Sequence, residues 1–181
     1  MKTLAFVVPL FATLLASTVS AEEVTVDFQY TLDHRVDFSK IRRGPLQVET
    51  FTDARDVESP NVIAPGYTAD QPLAAIVRDA LIQGFVQGKA MLADSDGNLH
   101  LEGNIETSEV EMVDTNGVPS IQLTIRTRVK LQGYGRTMFQ TVLFGRGTVP
   151  VEDGIAAALN AALGRTIRGL VQDDYFLNEI M

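Results

Sequence analysis

Two runs of alternating apolar and polar residues flank Asn116-Gly117, and they constrain the fold more than any other feature. Asn-Gly favours a two-residue hairpin turn, because both residues of such a turn adopt positive φ angles. With this turn, Thr115 lies opposite Val118 and the two runs become paired strands. The sequence therefore predicts one long β-hairpin from about Leu99 to Leu131, which needs further elements to cover its apolar face.

The apolar pattern of this hairpin shifts by one residue partway along. Near the turn, the register places Ile121 opposite Met112. Farther out, the apolar residues of the first arm occupy odd positions, whereas the second arm keeps its parity. One arm must then contain an extra residue, so we predict a β-bulge at Thr107-Ser108.

Opposite charges face each other beyond the predicted bulge. The shifted register pairs Arg126 with Glu106 and Lys130 with Glu102. Each such cross-strand pair contributes about 0.2–1 kcal/mol. Taken alone, Arg126, Arg128 and Lys130 form a basic stripe that is typical of polyanion binding. Their acidic neighbours instead predict a neutralised surface.

Two amphipathic helices are predicted outside the hairpin. Asp70-Gln71-Pro72 begins the first, with Asp70 as the N-cap and proline in the first turn. Apolar residues then recur every three or four positions from Leu73 to Phe85, and Gly88 is the predicted C-cap. The second helix is predicted from about Val151 to Val171, with acidic residues near its positive end.

Further strands are predicted on both sides of the hairpin and the first helix. Alternation at 24–30 and 46–51 indicates two strands. Positions 138–144 indicate a third, ended by Gly145, Gly147 and Pro150 and apolar enough to be covered on both faces. The order of elements predicts an α+β fold, with a mostly antiparallel sheet of about five strands and two helices packed on one face.

The N-terminal 21 residues have the pattern of a secretory signal peptide. A charged start is followed by the apolar run Leu4–Ala16 and then by Val19-Ser20-Ala21. The apolar run is about 13 residues long, shorter than the roughly 20 of a membrane-spanning helix. We predict cleavage between Ala21 and Glu22, so that residues 1–21 are the signal and 22–181 form a single domain.

The composition limits the kinds of chemistry and partner available. The chain has no cysteine, which rules out disulfides, thiolate catalysis, cysteine-type metal sites and a lipid anchor on cysteine. Its net charge of −8 argues against binding to nucleic acid. No segment after the signal is apolar enough for a transmembrane helix. We therefore expect a periplasmic protein, with peripheral association to the outer membrane as an open alternative.

No catalytic, cofactor-binding or metal-binding residues are predicted. His34 and His100 lie far apart and outside metal-binding spacings. Residues 94–98 resemble the start of a calcium loop, but Ile105 stands where the loop needs glutamate. Acidic residues cluster at 53–58, and we interpret them as a solvated loop in preference to a catalytic pair.

Two segments are candidates for contact with other molecules. Positions 53–69 contain Pro60, Pro65 and Gly66 and predict a long irregular loop, a kind of segment that is sometimes functional. The C-terminal segment carries four apolar residues that either cap the core or contact a partner: Tyr175, Phe176, Leu177 and Ile180.

The chain resembles the YajG-like family of small bacterial outer-membrane lipoproteins. Two stretches carry the resemblance: the helix Leu73–Phe85 leading through Gly88 to the strand near Leu99, and the C-terminal helix containing Ala158-Leu159-Asn160-Ala161-Ala162-Leu163 with Ile167, Gln172-Asp173 and the apolar end Phe176–Ile180. The resemblance implies an envelope location and no catalytic residues. Family members carry a lipid-modified cysteine after the signal, whereas this chain has Ala21-Glu22 there.

These features lead us to expect a non-enzymatic accessory protein of the periplasm. It would bind another envelope protein through the sheet edge, the 53–69 segment or the C-terminal segment. An auxiliary subunit of an envelope lipid-transport or outer-membrane assembly complex is the main alternative. An enzyme that uses the loop carboxylates is a third hypothesis. The oligomeric state remains open.

Overall fold

The computed structural model describes residues 21–31 and 36–181. The predicted signal peptide, apart from Ala21, and His34 lie outside the described residues. The strands are β1 (Glu22–Val24), β2 (Leu46–Val48), β3 (Thr52–Asp53), β4 (Val62–Ala64), β5 (Tyr67–Ala69), β6 (Leu99–Thr115), β7 (Val118–Gly133) and β8 (Arg136–Pro150). The α-helices are α1 (Leu73–Gln87), α2 (Gly154–Val171) and α3 (Asp174–Ile180), and short 3₁₀ turns occupy Phe38–Lys40 and Val151–Asp153.

The predicted α+β fold and its five-stranded sheet are confirmed. The main sheet has the order β2-β6-β7-β8, and β3 pairs with β6 farther along the same edge as β2. Strands β6, β7 and β8 are antiparallel neighbours, whereas β2 and β3 run parallel to β6. A second, three-stranded sheet has the order β1-β5-β4.

The register shift in the long hairpin is confirmed, but the bulge lies earlier than predicted. Ile105 pairs with Thr127 and Thr107 pairs with Arg126, so Glu106 is the extra residue. Glu102 does pair with Lys130. The prediction that Arg126 lies opposite Glu106 is wrong, because the bulge removes Glu106 from the ladder. The apolar pattern cannot locate the bulge within a run of polar residues, because the same residues are buried whichever of these positions holds the bulge.

The core lies between the main sheet and the helices. Four phenylalanines join the layers: Phe85 of α1 is 5.5 Å from Phe38 and 6.1 Å from Phe176 between ring centroids, and Phe139 of β8 is 5.5 Å from Phe176. Ring pairs at these separations contribute beyond their buried area. The C-terminal helix is therefore fixed to both α1 and β8.

Strand β8 differs from its prediction in length and in position. It continues through Gly145 and Gly147, which lie under α2: a Cβ on Gly147 would stand 2.0 Å from the Ala158 carbonyl oxygen. The glycines thus permit close helix–sheet packing instead of ending the strand. Strand β8 is also an edge strand with α2 on one face only, so the prediction that both faces are covered is wrong.

Several local predictions need correction. Helix α1 begins at Leu73 after Pro72, and its N-cap makes no side-chain hydrogen bond, so Asp70 is not the cap. Gly88 is the C-cap, as predicted. The 53–69 segment is partly regular, because it contains β4 and β5. The C-terminal segment is a helix, and the alternation at 24–30 yields a strand only at its start.

Candidate partner-binding surfaces

Helix α3 divides the four predicted contact residues between the core and the surface. Phe176 and Ile180 are fully buried and cap the core. Leu177 is partly buried, and Tyr175 has 79% of its surface exposed. Asp173 fixes the start of the helix by accepting a hydrogen bond from the Phe176 backbone N–H at 3.0 Å. Only the outward side of this short helix is therefore available to a partner.

The turn between β7 and β8 brings a second tyrosine to the same end of the molecule. Tyr134 is 66% exposed and has a positive φ of 52°. Its hydroxyl donates to the Arg43 carbonyl oxygen at 3.0 Å. Arg43 in turn places its Nη1 3.8 Å from Glu179 Oε2 on α3. We call Tyr134, Tyr175, Arg43 and Glu179 the tyrosine surface.

The tyrosine surface was only partly predictable. The sequence singles out Tyr175 as part of an apolar segment, whereas Gly133-Tyr134-Gly135 indicates only an interruption between two strands. The signal for Tyr134 is an aromatic residue at the tip of a glycine-flanked turn, where it has no core to enter. Its proximity to α3 depends on Arg43, and no local pattern indicates that tertiary contact.

In the acidic cluster at 53–58, the carboxylate of Asp53 stabilises the fold. Asp53 accepts two hydrogen bonds from Arg55, from Nε at 2.9 Å and from Nη2 at 2.6 Å. Arg55, whose side chain is 5% exposed, also donates to the Ile63 carbonyl oxygen at 3.1 Å. Burial favours a raised pKa for Asp53, but the Arg55 hydrogen bonds and charge outweigh it and lower that pKa below its ordinary value.

The sheet face opposite the helices carries paired charges. Glu106 forms a contact ion pair with Arg128 and lies 3.7 Å from Arg126 Nη2, while Lys130 Nζ is 3.7 Å from Glu102 Oε2. These pairs support the neutralised surface that the sequence predicts. A depression of about 460 Å³ lies on this face and is lined by Glu102, Arg128 and Lys130 and by polar residues from positions 49–52.

Two observations bear on metals and membranes. Within residues 21–31 and 36–181, no group of three or more histidine and acidic side chains is placed to hold a metal ion. His100 Nδ1 instead lies 2.7 Å from Glu49 Oε1. The helices in those same ranges include none that is both long and apolar enough to span a bilayer.

The chain shares its fold with proteins of known structure. No family model and no curated protein sequence matches the chain. Protein XCC0632 from Xanthomonas campestris, of family DUF330, superposes with a TM-score of 0.61 at 17% identity, over 81% of this chain and 91% of that chain. This likeness shows a common α+β fold alone.

Two further solved structures superpose less well. A minor lipoprotein from Acinetobacter baumannii gives a TM-score of 0.48 at 6% identity, over 75% of this chain and 95% of that chain. The hypothetical protein CT253 from Chlamydia trachomatis gives 0.41 at 11% identity, over 76% and 94%. Membership of the YajG-like family stays a prediction.

Proposed function

We propose that the protein is an exported, non-enzymatic accessory protein of the bacterial cell envelope that binds another envelope protein through the tyrosine surface. The observation that carries the proposal is the exposure of Tyr134 and Tyr175 at one end of the molecule. The signal-like N-terminal residues support export. The missing cysteine supports release into the periplasm without a lipid anchor.

The physical case rests on how the two tyrosines are held. Tyrosine combines a large apolar ring with a hydroxyl, and it is enriched among the residues that dominate binding energy. Tyr175 lies between the Asp173 cap and the buried Phe176, so its backbone is fixed before any partner arrives. Because Tyr134 is tied to Arg43, its ring loses little conformational freedom on binding.

Photocrosslinking in living cells tests this proposal. A photoreactive phenylalanine analogue would replace Tyr175 or Tyr134, with Val118 as the control position. Val118 is also apolar and exposed, but it lies at the tip of the β6-β7 hairpin, far along the strands from the β7-β8 turn. We expect both tyrosine positions to yield adducts with the same envelope protein, and Val118 to yield none.

The identity of the adduct distinguishes the functional alternatives. A membrane transporter or an outer-membrane assembly protein would favour the narrower role of auxiliary subunit. Absence of adducts at both tyrosine positions, or the same adducts at Val118, would contradict the proposal. Robust hydrolase activity of the mature protein that is lost on Asp56→Asn would contradict its non-enzymatic part.

A further inference from the structure

Strand β8 is a long edge strand that lacks most of the usual protection, although a bulge at Met138 interrupts its ladder with β7. Among the described residues it pairs only with β7, and no backbone hydrogen bond outside the sheet involves it. Proteins commonly shield such edges with charged residues or proline. From Thr137 to Gly145 the strand has neither. This leaves roughly 30 Å of uncharged edge, at about 3.4 Å per residue.

The other free parts of the sheet are better protected. At the opposite edge, β2 and β3 are short, and Leu46 exchanges backbone hydrogen bonds with the 91–93 segment at 3.0 Å. The part of β6 beyond β3 carries Glu109, Glu111 and Asp114. Interrupted strands and charged side chains both discourage pairing with another chain. Among the described edges of the main sheet, β8 therefore has the longest stretch without charged residues or proline.

Strand β8 also exposes apolar side chains on the face away from the helices. Phe144 is 54% exposed, and the guanidinium of Arg126 lies 5.1 Å from its ring centroid. Val142 lies on the same face, because alternate residues of a strand share a face. Together they form an apolar strip along the outer row of the sheet, directly beside the unpaired backbone groups.

We propose that two copies of the chain pair through antiparallel β8 edges, around a two-fold axis at Leu143. The two main sheets would then form one continuous ten-stranded sheet. Two-fold dimers are the commonest oligomers, and such an interface requires the strand to be complementary to itself. The sequence of β8 meets this requirement on both faces of the sheet.

On the outer face, the axis at Leu143 places Val142 of each copy opposite Phe144 of the other. These are aromatic–β-branched cross-strand pairs, which are favourable. Arg146 then lies opposite Gln140, and the bulge at Met138 takes Arg136 out of this register. Moving the axis to Thr141 would instead place Phe144 opposite the bulge at Met138.

The charges of β8 also permit the pairing centred on Leu143. The Arg146 side chains of the two copies are separated by six residues along the strands, roughly 20 Å. This exceeds the screening length of about 8 Å at physiological ionic strength, so their repulsion is weak.

On the helix face, the same register pairs large residues with small ones. Phe139, which is partly buried, lies opposite Gly147, and Thr141 lies opposite Gly145. A groove of about 660 Å³ borders β8 at 146–148, between α2 and residues 27–31.

Charge substitutions at two positions test the pairing and its register. The wild-type mature chain should be a dimer by sedimentation equilibrium at micromolar concentrations. V142K/F144K places like charges opposite each other across the axis and should abolish the dimer. V142E/F144K is the matched control, because it places opposite charges in those positions. It should keep the dimer dissociation constant within about tenfold of the wild type.

Circular dichroism spectra check that both variants stay folded, because Val142 and Phe144 lie opposite Arg128 and Arg126 of β7. If V142K/F144K unfolds, disulfide crosslinking between two copies provides a second test. V142C/F144C should form an intermolecular disulfide, because the chain has no other cysteine. A wild-type monomer, an unaffected V142K/F144K oligomer, or a folded V142C/F144C without crosslink would each overturn the proposal. None of these outcomes depends on the tyrosine surface.

Discussion

Aromatic residues at one end of the molecule belong to two groups with opposite environments. Phe38, Phe85, Phe139 and Phe176 form a ring cluster that joins α1, β8 and α3. Tyr134 and Tyr175 lie outside it and are mostly exposed. Since Tyr175 and Phe176 are neighbours in sequence, the contrast depends on helix geometry. We infer that the inner group stabilises the fold and that the outer group supports binding.

The largest expected effect on stability comes from a substitution in the inner group. Phe176→Ala removes a fully buried ring that contacts both Phe85 and Phe139. Large-to-small substitutions of this kind cost about 3–5 kcal/mol. Urea unfolding should show this loss, whereas Tyr175→Ala should change the unfolding free energy by less than about 0.5 kcal/mol. Equal losses for the two variants would remove the distinction between the groups.

A smaller effect is expected for the Asp53–Arg55 pair. Asp53→Asn keeps the shape of the side chain but weakens two hydrogen bonds to a buried guanidinium, at a cost of about 1–3 kcal/mol. The exposed Asp56→Asn serves as the control and should have little effect.

The Asp53 contribution should also depend on pH. Because folding lowers the pKa of Asp53, its stabilisation is complete above the unfolded pKa and is lost as the pH falls through the folded value. The stability difference between wild type and Asp53→Asn should therefore shrink below about pH 4. Urea unfolding across this range measures the difference, and one that grows on acidification would contradict the assigned pair.

The smallest expected effect concerns the cap that orients Tyr175. Asp173→Ala removes the hydrogen bond to the Phe176 backbone and should cost about 1 kcal/mol. Asp174→Ala removes the same charge without a cap bond and should cost less. Chemical unfolding compares them directly, and a larger loss for Asp174→Ala would show that the cap does not fix α3.

The sequence predicted the elements whose patterns are local and periodic. The Asn116-Gly117 turn fixed the hairpin register, and helical spacing fixed both long helices. The bulge position was missed, because moving it between Glu106 and Ser108 leaves every buried position unchanged. Asp70 has a side chain suited to capping a helix, yet the helix begins after Pro72.

Features that depend on tertiary contacts could not be predicted in the same way. Gly145 and Gly147 are residues typical of the end of a strand, but here the strand continues through them beneath α2. An apolar strand can lie at the centre of a sheet, covered on both faces, or at an exposed edge. The sequence pattern alone therefore does not show that β8 is an edge strand. The tyrosine surface joins a turn, a loop residue and a C-terminal helix, and only folding brings these three segments together.

The most direct test of the contrast between the two aromatic groups is photocrosslinking at Tyr175 in cells that carry a second substitution, Tyr134→Ala. We predict that the adduct formed at Tyr175 is lost or strongly reduced, while the thermal unfolding temperature of the purified protein stays unchanged. An undiminished adduct, or a loss that is matched by unfolding of the protein, would contradict a binding role for the exposed tyrosines.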